Sequence, residues 1–419
     1  MNTRHLRRVG IVALTALALT AFTVVAQDKP GKTASTTIES GESASPAAEF
    51  TENEPNDTRD TAELLLVGHT LSGAIQTAED YDWFRLAGYA HQAYVFDIDA
   101  EVNGSSLDAY ICVSGFRDGV LVDNHCNDDS DGLDSMVFTT IWPEDDVVWY
   151  VWVTDYNLDG GADYTYTLMV YTPLLVSAAV NGSVAGLPFQ KSDVLAHYDF
   201  PDGTEKWMLF FDASDLGLTQ NLNSFNLGYF DDAVLGFAAN QPLPGGETAT
   251  PWDIVDLRNA TFGPSTHGDL SFVVNGRGNA GLTTAGEKID ALGHGDYNYW
   301  TVSTAGTADV PIYGQAPLRA RDEDMLGMVW ELEGLWDSTL YFDGSLVPGL
   351  AGEDITAAST GGRYAYFVIE GSGRVDGFAV NQKDIFVVDR DGNRVLGTYW
   401  RGGQHHFPYK LDAIHVLAR

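Results

Sequence analysis

Between residues 52 and 57 the chain reads Glu-Asn-Glu-Pro-Asn-Asp, which gathers Glu52, Glu54, Asn56 and Asp57 within one short segment. In an extended backbone, alternation turns Glu52, Glu54 and Asn56 to one side. Calcium takes about six to eight hard oxygen ligands, and carboxylates packed this closely repel one another without a cation. Calcium is therefore the expected occupant. The competing reading is a solvated segment in which Asn56 and Asp57 cap a turn.

Other motifs carry less. Residues 127–132 (Asn-Asp-Asp-Ser-Asp-Gly) and 155–160 (Asp-Tyr-Asn-Leu-Asp-Gly) open like calcium loops, but their twelfth positions are Phe138 and Tyr166 instead of Glu. An EF-hand is excluded, and solvated Asx-turns are the expectation, with a β-loop calcium site as the alternative. Residues 276–281 (Gly-Arg-Gly-Asn-Ala-Gly) fit G-x-G-x-x-G without a following helix, so they read as a loop. No G-x-S-x-G elbow and no H-E-x-x-H occurs. His405-His406 has no acidic neighbour in sequence and reads as structural. Trp252, Trp300, Trp336 and Trp400 read as core, the alternative being a stacking surface for sugars or peptides.

The elements that would position these groups are strands. Aromatic and β-branched runs such as 93–98, 147–153 and 164–170 recur between Gly, Asp and Asn, and long helical periodicity is absent. Cys112 and Cys126 lie symmetrically about Gly119 in a hairpin pattern, which predicts that they face each other as a disulfide. Arg4, Arg7 and Arg8 precede an apolar run from Val9 to Ala26 that ends in small residues. It reads as a signal peptide (1–26) cleaved before Gln27, against the alternative of an uncleaved anchor. Residues 27–48 read as a disordered linker.

The formal charge is −36; without residues 1–26 three arginines and no acid are lost, leaving −39. So acidic a chain repels nucleic acid and anionic lipid. After signal cleavage no membrane span is expected.

The second half repeats. Asp193, Asp253, Asp324 and Asp384 each open a similar set of strands, at spacings of 60, 71 and 60 residues. A period in this range with four strands per unit predicts propeller blades. The fourth unit lacks a last strand, and residues 174–180 are expected to supply it by joining the blade of Asp384 to Ile414. The fold expected is thus all-β, a jelly-roll-like β-sandwich (49–172) followed by a small four-bladed β-propeller (173–419).

From Glu52 to Tyr171 the order of features resembles the bacterial pre-peptidase C-terminal domain, a secreted β-sandwich related to the collagen-binding domains of clostridial collagenases. The resemblance rests on residues 52–58, then 71–75, Asp80-Tyr81-Asp82-Trp83-Phe84, Leu107-Asp108, 127–129, 150–153 and 163–166. It covers well under half the chain. It implies that the opening acids bind calcium together with Asp80 and Asp82, with Glu79 able to replace Asp80. The second half resembles repeats of other secreted proteins with a Tyr-Phe-Asp-Gly-Ser strand end (341–345), which imply no activity.

The function expected is a secreted, non-enzymatic, calcium-stabilised binding or adhesion protein, extracellular or periplasmic, whose partner is an extracellular protein or polysaccharide. Two alternatives stand. One is a hydrolase with its carboxylates among Asp212, Asp215, Asp290 and Asp343. The other is an accessory module of a secretion or surface complex.

Overall fold

The computed structural model describes residues 49–417, apart from 88–91, 129–131, 142–146, 200–203, 229–231, 279, 294–298, 311–315, 331–335 and 362. The signal segment and linker expected at 1–26 and 27–48 lie outside the described residues. Regular structure among the described residues is β-strand with short 3-10 turns, and no helix there is long and apolar enough to cross a membrane. The chain is all-β.

Ten strands precede residue 172 among the described residues: β1 (Glu49–Thr51), β2 (Glu63–Leu66), β3 (Thr70–Ala74), β4 (Asp82–Ala87), β5 (Gln92–Asp99), β6 (Ala109–Arg117), β7 (Val120–Asn127), β8 (Met136–Ile141), β9 (Val147–Asp155) and β10 (Thr165–Tyr171). They form two five-stranded sheets, ordered β1-β3-β10-β5-β8 and β2-β4-β9-β6-β7. Alternation along each strand decides what lies between them. Phe96, Ile98, Leu168 and Val170 of the first sheet share one buried cluster with Phe84, Ile111, Val113, Val151 and Val153 of the second.

The hairpin of β6 and β7 turns on Asp118 and Gly119, whose φ of 50° and 79° is the Asp-Gly pattern of a two-residue turn matched to strand twist. Its register sets Cys112 opposite Cys126, and the two are disulfide-bonded.

The outer face of the first sheet is covered as well. Val95, Met136, Phe138, Met169 and Tyr171 pack with Phe210, Phe225 and Phe262 from the second half. Lys206 reaches into this contact, 2.5 Å from Asp97 and 3.5 Å from Asp99. Burial and the Asp97 charge push Asp99 up to about 6, and both carboxylates raise Lys206. Removing the cation leaves Asp97, 7% exposed, without its counter-charge. Lys206→Ala should cost about 3 kcal/mol, read as a lower urea midpoint.

Among the described residues, the second half contains four four-stranded antiparallel sheets, none closed on itself, and four two-stranded ribbons. The first sheet runs Leu411–Val416, Leu174–Ala178, Val194–Asp199, Glu205–Phe211. The second begins with Leu222–Leu227, the third with Ile289–Gly293 and the fourth with Ile355–Gly361. Those three strands and Leu411–Val416 contact one another. Leu174–Ala178 does pair with the C-terminal strand, but not in the sheet of Asp384, which was the expectation. Each sequence repeat supplies two outer strands of one sheet and then two inner strands of the next, so the last repeat ends in the first sheet.

The aspartates that mark the repeat have a structural use. Asp193 accepts from the backbone N–H of Gln190 and Ala213, Asp253 from Thr250 and Gly276, and Asp324 from Arg321 and Gly344. Each ties the turn before its strand to the end of the next strand. Gly344 permits this because a Cβ there would lie 2.0 Å from the Glu323 carbonyl oxygen.

Candidate metal centre and aromatic face

Residues 52–57 cross from one sheet of the N-terminal pair to the other. Glu52 N–H donates to the Ser72 carbonyl of β3, and Trp83 N–H of β4 donates to the Asn56 carbonyl, at 3.0 Å each. The crossing sets the segment against Asp80 and Asp82. Oxygens of Glu52, Glu54 and Asp82 converge within 4.8 Å, as do those of Glu54, Asp57 and Asp80, with Glu54 common to both. Glu79, the alternative to Asp80, is exposed and outside these groups.

Several contacts fix these side chains. Glu52 accepts from Ala74 N–H at 2.6 Å, and Asp80 accepts from Gln76 N–H at 2.7 Å. Tyr166 O–H lies 2.6 Å from Asp82 and 3.1 Å from Glu52. Gly73 makes room for that trio, since a Cβ there would fall 2.5 Å from the Glu52 carboxylate. Asn56 is fully buried, and one terminal atom of its amide lies 3.1 Å from Asp82 Oδ1 and 3.2 Å from Glu54 Oε2. A nitrogen in that position donates to both carboxylates. Rotating the amide by half a turn puts an oxygen there instead, facing acceptors only, an arrangement suited to a cation.

The electrostatics follow from packing. Burial, then the Glu52 charge, pushes Asp82 up to about 9. Burial also raises Glu52 and Glu54. Calcium, unlike a proton, could neutralise several of these oxygens at once.

The other loops are built differently. Asp155 is buried and accepts from the N–H groups of Asn157, Asp159 and Asp108 at 2.9 to 3.1 Å, which is an Asx-turn. Of the loop at 127–132, residues 129–131 lie outside the described residues. Gly276 sits in a loop after the strand His267–Val274, followed among the described residues by the three-residue 3-10 turn Ala285–Glu287 and no α-helix. Among the hydrolase carboxylates, Asp212 and Asp343 cap 3-10 turns, and Asp215 accepts from Thr266 N–H. Asp290 is pushed well up by burial and by the Asp354 carboxylate beside it. Trp252, Trp300 and Trp400 are buried, and the side chain of Trp336 lies outside what the structure describes.

Sequence reasoning read Tyr150 and Trp152 within a strand run and Trp83 within the family resemblance, did not single out Tyr110, and missed the surface that they make. Along β9, Trp149, Val151 and Val153 face the core, so Tyr150 and Trp152 face outward. On β4 and β6, Trp83, Tyr110 and Phe116 are likewise half-buried. The register puts Trp83 opposite Trp152, with ring centroids 5.9 Å apart and nearly parallel. Tyr110 and Tyr81 approach Trp152 at 5.6 and 5.7 Å, and Tyr150 and Phe116 continue the row past Trp83. Arg59 ends it, its guanidinium 4.4 Å from the Phe116 ring centre. Beneath the row, Trp152 Nε1 donates to Ser114 Oγ at 3.2 Å, next to the disulfide.

No family model and no curated protein matches the chain. Among solved structures, it is similar to the pre-peptidase C-terminal domain of a collagenase from Bacillus anthracis, at 15% identity and a TM-score of 0.20, over 28% of this chain and 99% of that one. It is also similar to a chain of a nidogen/laminin complex, at 9% identity and a TM-score of 0.27, over 59% of this chain and 98% of that one.

Proposed function

We propose that the protein is a secreted, calcium-stabilised binding protein that holds an extracellular protein on the aromatic face of β4, β9 and β6. The observation that carries this reading is the continuous row from Tyr156 through Tyr110, Trp152 and Trp83 to Phe116 and Arg59. Rows of Trp and Tyr closed by an Arg are the residue types on which protein interfaces concentrate their energy. Its neighbour β7 adds exposed Val120, Leu121 and Val122 on the sheet edge, where an extended segment could pair. A polysaccharide stacking on the same rings is the second reading. We read the two N-terminal sheets as a β-sandwich and the four later sheets as blades of a propeller closed by the C-terminal strand. Calcium, held by Glu52, Glu54, Asn56, Asp57, Asp80 and Asp82, would lock the crossing segment onto the sandwich.

The test is retention of residues 27–419 on fibrillar collagen, gelatin, cellulose and chitin. Trp83→Ala and Trp152→Ala should each weaken binding to a protein matrix by about tenfold or more, equivalent to about 1.4 kcal/mol or more. Retention on the polysaccharides alone would move the ligand to the second reading. Unchanged retention of both variants would end the assignment of this face.

A further inference from the structure

The strongest unassigned constellation lies in the second half, where the sequence showed only a His pair. His197 and Asp199 stand two residues apart on Val194–Asp199, so their side chains share one face. The antiparallel register sets Asp199 opposite Glu205, the first residue of the next strand. His405 arrives from the far end of the sequence, after the strand Arg394–Arg401 of the fourth sheet and the 3-10 turn Gly402–Gln404.

The four ligand atoms are His197 Nε2, His405 Nδ1, Asp199 Oδ1 and Glu205 Oε2, all within 4.8 Å of one another. Glu205 lies 3.2 Å from each imidazole, and Asp199 lies 3.2 Å from His405 and 3.5 Å from His197. Zinc bound at about 2.0–2.1 Å in a tetrahedron requires ligand-to-ligand edges of roughly 3.3–3.4 Å. The four nitrogen–oxygen edges fit that length.

Two further features point the same way. Like charges set directly opposite on an antiparallel pair, as Asp199 and Glu205 are, disfavour the pairing unless something neutralises them. His197 is 2% exposed, with its Nε2 aimed into the cluster. Its ring packs 4.4 Å from Trp207, and His405 stacks flat on Trp400 at 5.2 Å. Indole walls hold both imidazoles in place and keep the surroundings apolar, which strengthens a charged bond inside.

We infer that His197, Asp199, Glu205 and His405 form a binding site for a divalent transition metal of the zinc class, joining the first sheet to the fourth. Imidazole nitrogens select such metals over calcium. Four protein ligands complete a tetrahedron and leave no open position, so the metal serves as a clip and not as a reagent. His406, the other half of the sequence pair, takes no part in the cluster.

The experiment uses residues 27–419 stripped with chelator and titrated with zinc in calcium-containing buffer, so that the acidic centre of the N-terminal sheets cannot account for the signal. One zinc per chain is expected, and cobalt in its place should show the intense visible bands of a tetrahedral ion. His405→Gln and Glu205→Gln should each lower zinc affinity by about 100-fold or more with an unchanged circular dichroism spectrum. Glu54→Ala should bind zinc as wild type does. Failure of the wild-type chain to take up zinc, or wild-type affinity in both ligand variants, would overturn the inference.

Discussion

Calcium should raise the melting temperature of residues 27–419, and the rise should disappear in Glu54→Ala and Asp82→Asn. The whole of residues 27–419 is the object to melt, because the outer face of the first sheet is buried against the second half through Val95, Phe138 and Tyr171. At a hundredfold excess over Kd, a ligand that binds only the folded state adds about 2.7 kcal/mol. Spread over a chain of this size, that is a rise of a few degrees. Magnesium should do less, since a flexible carboxylate cage does not enforce its tight octahedron.

The effect should also depend on pH. Burial and Glu52 hold Asp82 near 9, far above an unfolded carboxyl, so without calcium the folded state keeps a proton that the unfolded state has lost. Stability in EDTA should therefore fall as pH rises from about 4 towards 9. Calcium displaces that proton, so its stabilisation should be larger at pH 8 than at pH 5, as differential scanning calorimetry at both pH values would show. A calcium shift that is equal in wild type and both variants would place the ion elsewhere.

The largest loss of stability is expected from a chain that ends at residue 410. It lacks Leu411–Val416, which is hydrogen-bonded to Leu174–Ala178 and packed against the first strands of the other three sheets. Leu411, Ile414 and Val416 are at most 5% exposed. At about 1.5–3 kcal/mol for each large side chain removed from a core, the loss is roughly 5–9 kcal/mol, comparable to the whole stability of a domain. Near-ultraviolet circular dichroism and proteolysis should report an unfolded second half. A truncated chain that melts like the full one would contradict the stabilising role of this strand.

What could be read beforehand divides along physical lines. Local alternation made the strands legible, and the symmetry of Cys112 and Cys126 about an Asp-Gly turn made the disulfide legible. The repeat showed through Asp193, Asp253 and Asp324 because each performs the same backbone task, and a task tied to local geometry leaves a periodic trace. Sheet membership did not show, since the period does not say where one sheet ends and the next begins. The cluster at His405 was hidden because Asp199 and Glu205 stand about 200 residues away in sequence and only tertiary packing brings them near. The aromatic face was present as alternating residues on β9, but which side of that strand is covered depends on where the first sheet and the second half pack.

Oxidative footprinting tests the binding account most directly, because Trp and Tyr report their own exposure. With residues 27–419 on a retained matrix protein, protection should appear at Trp83, Tyr110 and Trp152. It should be absent at Trp252, Trp300 and Trp400, which are already buried in the free chain. Protection confined to the second half, with Trp83 and Trp152 as reactive as in the free chain, would contradict the account.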